Sequence, residues 1–213
     1  MTRLDIFSDP VCPWCLIGTT NLMRALADAP DQPFELAWHP YQLDPDLPPE
    51  GMDRAEYLAA KFGGLDNLGR VHARVEEAAR EAGVTLAFDR ITRAPNTLDA
   101  HRLIRWAAAE GAQTRVAMAL SALYFGDGED ISDPGVLASV AADAGLDPAA
   151  VARLLAGDAD RAEVSREAAE ARRAGITGVP AFIVAGQYVV TGAQPRAFWT
   201  DFAREVAAAT RPA

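Results

Sequence analysis

A chain of 213 residues, half of them hydrophobic, is long enough to bury one sizeable core, and it lacks the low hydrophobicity of a disordered segment. Its formal charge is −10 and Lys61 is its only lysine, which disfavours nucleic acid and anionic membrane as partners, since both are held by clustered basic side chains. The N-terminus carries Asp5 and Asp9 where a secretory leader would be unbroken apolar, and no stretch approaches the roughly 20 apolar residues of a membrane span, so a cytoplasmic address is expected.

Residues 3 to 8 read as a short buried strand closed by the turn residues Asp9-Pro10. Leu16, Leu22, Met23, Leu26 and Ala27 give an apolar face to a helix from about 13 to 28, with Pro30 beyond it. Phe34 to Trp38 is a second strand, completing a β-α-β opening. From Pro40 to Gly51 four prolines and one glycine predict an extended surface loop.

Helical signals dominate from there to residue 174. One helix is expected around 64 to 82, before Gly83, and another around 97 to 110, whose Ala100, Leu103, Ile104, Ala107 and Ala108 fall on one buried face. Asp133-Pro134 and Asp147-Pro148 each pair an N-cap with proline in the first helical position. The arginines and acids along these helices read as solvated faces. After Gly175 to Pro180, the segments Ala181 to Ala185 and Tyr188 to Thr191 form a hairpin around Gly186-Gln187, and Pro195 opens a last helix with Phe198, Trp199, Phe202 and Val206 on one side. The order is β-α-β, a helical insertion, then α-β-β-α.

The only cysteines stand in Cys12-Pro13-Trp14-Cys15, between the first strand and the first helix. In a reducing compartment such a pair is better explained by chemistry than by a structural disulfide. Three positions apart at a helix start, the two lie about one turn from each other, within disulfide reach. Cys12 would meet the unsatisfied N–H groups and positive dipole end of the helix, which favour a thiolate. It would attack a substrate disulfide, and Cys15 would resolve the mixed disulfide. Pro13 restricts the loop and Trp14 offers an apolar surface beside the sulfur. Zinc would need four ligands, and His39, His72 and His101 show no paired spacing, so no metal is expected. Val179-Pro180 enters the third strand, and statistics for X-Pro bonds alone favour trans.

Together Ser8 to Gly18, Trp38, Pro40, the Pro48-Pro49-Glu50-Gly51 loop, Asn96-Thr97, Ala100-His101-Arg102 and Gly175 to Pro180 resemble the DsbA-like branch of the thioredoxin superfamily, and within it the cytoplasmic FrnE-type dithiol oxidoreductases. The resemblance implies an α/β thioredoxin-like fold in which residues 1–45 and 160–213 form the thioredoxin-like part and 46–159 a large inserted helical subdomain. It also implies that Pro180 is cis and sits against the cysteine pair, with the Val179 backbone binding a protein or small-molecule thiol or disulfide substrate. Cys12, Cys15 and Pro180 are then the catalytic set, with Pro13, Trp14, Val179, Thr97 and His101 as substrate contacts. The redox-active Cys12–Cys15 disulfide stands in place of a bound cofactor, and glutathione is an alternative ligand. Pro-Trp between the cysteines departs from the Pro-His of the best-known periplasmic members, so their strongly oxidising behaviour is not carried over.

Two other functional readings follow. Relatives of similar architecture, the 2-hydroxychromene-2-carboxylate isomerases and kappa-type glutathione transferases, use glutathione and typically have serine at the Cys12 position, so a glutathione-dependent isomerase or transferase is the second enzyme class. A non-catalytic, chaperone-like module would use the Pro40 to Gly51 loop and the aromatic side chains around it. Among secondary candidates, Asp9 is either a turn residue or a proton shuttle, Asn96 a helix cap, Trp38 a core residue, and His39 and His72 carry no role.

Overall fold

A computed structural model describes residues 1–29, 33–63 and 68–209 of the chain. Pro30, and the expected start of a helix at 64 to 67, lie outside the described residues. The alternating N-terminal segment forms strand β1 (Thr2–Ser8), and β2 (Phe34–Pro40) pairs with it in parallel, Leu4 opposite Leu36 and Ile6 opposite Trp38. Strand β5 (Ala181–Val184) flanks β1 on its other side, antiparallel, with Phe182 opposite Ile6, and β6 (Tyr188–Thr191) completes the order β2-β1-β5-β6.

Side chains alternate across a strand, so one face of this sheet presents Leu4, Ile6, Trp38, Phe182 and Val184. Helix α1 (Pro13–Ala27) and helix α9 (Arg196–Ala209) belong to that layer, and Leu22, Leu26, Trp199 and Ala203 join the same core. Phe182 and Trp199 meet edge to face at 4.7 Å, a favourable aromatic geometry. The other face carries Asp5, Phe7, His39 and Ile183, and helix α8 (Arg161–Arg173) packs against β2. An open groove of about 690 Å³ remains there, running from Phe7 and His39 past Ile183 to Val179 and Pro180.

Between β2 and α8 lie α2 (Arg54–Phe62), α3 (Leu68–Ala82), α4 (Leu98–Trp106), α5 (Gln113–Ala122), α6 (Pro134–Asp143) and α7 (Pro148–Leu155), with a two-residue ladder of β3 (Met52–Asp53) and β4 (Arg93–Ala94). Asp133 and Asp147 cap α6 and α7 as their Asp-Pro signatures predict, each accepting two backbone N–H bonds, and Asp53 caps α2 in the same way.

Three expectations are corrected. The segment 40–51 is not wholly a surface loop: Tyr41 and Gln42 are buried, the Tyr41 N–H donates to Ser8 O at 3.2 Å, and Asn96 Nδ2 ties Leu47 O at 2.7 Å. Ala108 does not share the buried face of Ala100, Leu103, Ile104 and Ala107, because the chain tightens into a 3₁₀ turn over Ala107–Glu110 and rotates it outward. The arginines are not all on solvated faces. Arg102 has no exposed surface, and its guanidinium donates to the carbonyls of Leu154, Gly157 and Ala159 and to Asp99, at 2.6 to 2.8 Å. A rigid five-donor fork suits the bare carbonyls that follow the end of α7.

Candidate active site

Strand β1 delivers the chain to the Asp9-Pro10 turn, where the Cys12 N–H donates to Asp9 O at 3.0 Å. Cys12 keeps an extended backbone (φ −93°, ψ 113°) as the N-cap of α1, with Pro13 in the first turn, where its missing N–H costs nothing. No side chain caps that turn. The Cys12 thiol is 3.6 Å from the carbonyl oxygen of Val179, a residue 167 positions away, and the Val179–Pro180 bond is cis. The statistical preference for trans therefore fails at this bond, and the cis form that the resemblance implies is the one present.

Cys12 and Cys15 are free thiols, 4% and 2% exposed. Burial pushes the Cys15 thiol well above its ordinary value. The hydrogen bond and charge of Cys12 and the charge of Asp9 act in the same direction, while a backbone hydrogen bond at Asp9 opposes them. Cys15 is thus held protonated at neutral pH.

Behind the pair lies Asp9, 1% exposed. Its Oδ2 accepts the Leu43 N–H at 2.7 Å, while its Oδ1 has no hydrogen-bond partner among the described residues and faces His101 Nε2 at 3.7 Å. The turn reading of Asp9 is the one present, its backbone carbonyl accepting the Cys12 N–H, and its carboxylate is buried behind the pair. His101, 3% exposed, is bonded to Tyr41 O at 3.2 Å, and it touches the pair only through Asp9. Thr97 is also buried, but it lines a chamber on the α2–α3 side that His101 does not reach. Asn96 accepts from the Leu98 N–H at 2.9 Å, but it stands one residue ahead of the N-cap expected of it, which is Thr97, because α4 starts at Leu98.

Trp14 packs, half-buried, against the cluster of Ile17, Val75, Ala79 and Ala82, with the Arg74 guanidinium 5.9 Å from its ring, so much of its face belongs to α3. Trp38 is core, its indole N–H donating to Thr114 Oγ1 at 2.9 Å. His39 bonds Asp5 and stacks on Phe7, and His72 stacks on Phe88 at 4.2 Å. Sequence reasoning missed two residues. Arg172 sits 4.5 Å from the Tyr41 ring near the end of α8, with nothing to distinguish it in an Arg- and Glu-rich helix. Gly18 lies where an added Cβ would come within 3.0 Å of both Pro180 Cγ and Ala193 Cα, so the bare backbone lets α1 and the proline loop approach. The glycine ending the Cys12 to Gly18 stretch was the available signal. Among the described residues no group of three or more His, Cys, Asp or Glu is placed to hold a metal ion.

A β-α-β opening with a dithiol at the start of its helix, completed by a hairpin entered through a cis-proline that faces the dithiol, defines a thioredoxin-like thiol-disulfide protein. Residues 3–202 match the model of the DSBA-like thioredoxin domain, and the chain belongs to that family. Among solved structures it is similar to a probable DsbA oxidoreductase, SCO1869, from Streptomyces coelicolor, at 29% identity and TM-score 0.84, covering 100% of this chain and 93% of that one. It shares its fold with a 2-hydroxychromene-2-carboxylate isomerase (14% identity, TM-score 0.71, 97% and 96% of the two chains). The same holds for the cytosolic disulfide reductase DsbM from Pseudomonas aeruginosa with GSH (19% identity, TM-score 0.69, 95% and 98%). The chain is a dithiol-disulfide oxidoreductase.

Proposed function

We propose that Cys12 is the nucleophile, Cys15 the resolving thiol, and the Val179–Pro180 edge the place where the substrate chain docks. The observation that carries this reading is the 3.6 Å approach of the Cys12 thiol to the Val179 carbonyl, at the point where α1 begins. Cys12 as thiolate attacks one sulfur of a substrate disulfide and expels the other as a thiolate, giving a mixed disulfide. Cys15 then gives up its proton and attacks the Cys12 sulfur, releasing the second substrate thiol and leaving Cys12–Cys15 oxidised. Two electrons pass from the pair to the substrate, and the reverse sequence oxidises a dithiol. Pro13 shapes the loop and Trp14 flanks it, while Thr97 and His101 act from behind, His101 through Asp9. The groove from Phe7 to Val179 suits an extended polypeptide. The absence of any helix among the described residues long and apolar enough to cross a membrane accords with a cytoplasmic address, and the named neighbour DsbM is cytosolic. Insulin reduction, assayed with the wild type and Cys12→Ser, tests the assignment, since equal turnover by the two would overturn it. Cys15→Ser is expected to accumulate the mixed disulfide, visible by mass spectrometry.

A second reading has glutathione as the bound thiol, favoured by the GSH in the DsbM structure of the same fold. It predicts saturable glutathione binding that survives Cys15→Ser. Calorimetry without a saturable signal removes it.

A further inference from the structure

Arginines of this acidic chain commonly end on an acid or a carbonyl: Arg105 on Glu167, Arg166 on Glu170, Arg24 on the carbonyls that close α3. Arg74 and Arg172 do neither. Each guanidinium lies over an aromatic ring, 5.9 Å from Trp14 and 4.5 Å from Tyr41, and among the described residues neither is within ion-pair distance of a carboxylate. Stacking leaves the charge and the in-plane N–H donors of a guanidinium free to meet an anion.

Both rings border the dithiol. Trp14 stands between the two cysteines, and Tyr41 follows Pro40, its N–H donating to Ser8 O just before the Asp9-Pro10 turn. Helix α8 ends at Arg173, and the chain then runs to Val179, whose carbonyl oxygen is 3.6 Å from the Cys12 thiol. Arg74 comes to this end of the sheet from α3, beside α1, whereas Arg172 comes from α8 on the opposite face. The dithiol lies between two cations. Glu167 and Glu170, the acids that line the groove, are held by Arg105 and Arg166, and Glu77 on α3 is held by Arg80. In a chain of net charge −10, guanidinium groups without counter-ions beside the reactive sulfur attract what the rest of the surface repels.

We propose that Arg74 and Arg172 make this oxidoreductase selective for acidic disulfide substrates, polypeptide segments whose reactive cystine is flanked by carboxylates that pair with the two guanidinium groups. Selectivity of this kind rests on the assignment of Cys12 and the Val179 edge as the place where substrate docks, and it adds the charge of that substrate. The arginines touch no sulfur and act as specificity residues.

Three cystine peptides, identical except for Glu, Gln or Lys on either side of each sulfur, are the probes. Calorimetry with Cys12→Ser reads docking without exchange, and kcat/KM with the wild type reads turnover. In low salt the Glu peptide is expected to bind about tenfold more tightly than the Gln peptide, and the Lys peptide most weakly. Arg74→Gln and Arg172→Gln should each lower the Glu-over-Gln ratio about threefold, as for an exposed ion pair, and about 0.5 M salt should erase it. A merely structural loss weakens both peptides alike and leaves the ratio where it was. Arg204→Gln, on α9, should not move it. If Arg172→Gln does not fold, the rank of the Lys peptide and the salt dependence in the wild type serve instead. Equal affinity for the three peptides, a ratio indifferent to both arginines, or a ratio that persists in high salt would each overturn the proposal. Equal turnover by the wild type and Cys12→Ser would overturn the thiol assignment instead, and the binding ratios would still decide the charge selectivity.

Discussion

His101 Nε2 stands 3.2 Å from the Tyr41 carbonyl oxygen and 3.7 Å from Asp9 Oδ1, and neither side chain is more than 3% exposed. A carbonyl only accepts, so Nε2 carries the proton and spends it on Tyr41, beyond hydrogen-bond distance of the carboxylate. Asp9 is left a buried acid with one satisfied oxygen, poised beside the Cys15 thiol. Asp9→Asn keeps the acceptor for Leu43 and removes the buried charge. It should raise stability by about 1 kcal/mol in urea unfolding. Because the Asp9 charge pushes the Cys15 thiol up, its removal should also speed decay of the mixed disulfide.

Burial, then Cys12, then the Asp9 charge hold Cys15 protonated above the ordinary 9.0 of a thiol. Resolution needs its thiolate, so the mixed disulfide is expected to decay faster as pH rises and to persist in acid. Rapid acid quench and mass spectrometry across a pH series measure this. A decay rate independent of pH would contradict the assignment of Cys15 as resolving thiol.

Arg102→Met retains an unbranched apolar chain but removes the donors that hold the carbonyls of Leu154, Gly157 and Ala159. Each lost acceptor bond costs on the order of 1 kcal/mol, so a loss of about 3 kcal/mol is expected from the shift of the urea midpoint. The dithiol lies elsewhere, so turnover of the folded fraction should be unchanged.

His72 is held below its ordinary 6.5 by burial first and the Arg54 charge second. The unfolded chain therefore takes up a proton near 6.5 that the folded chain refuses. This contribution to stability is whole above that pH and is lost as pH falls. His72→Gln should flatten the fall in thermal midpoint between about pH 7 and 5.

The fold was largely readable because its signals are local. Period-two alternation located β1, the Asp-Pro caps located α6 and α7, and a glycine-bearing turn located the hairpin. The cysteine pair announced itself by spacing. What the sequence did not disclose depends on contacts across the fold. Arg102 looks like any helical arginine until the carbonyls after α7 surround it, and the gap between Asp9 and His101 arises only when segment 40–51 brings Tyr41 between β1 and α4.

Gly18 and Pro180 compete for one volume. With a Cβ at 18 standing 3.0 Å from the proline ring, either residue can be enlarged only if the other withdraws. The two positions are therefore expected to vary together or not at all over evolutionary time, although 161 residues separate them in the numbering. A redesign of the dithiol loop must accordingly treat the helix that bears the sulfurs and the loop that receives the substrate as one inherited part.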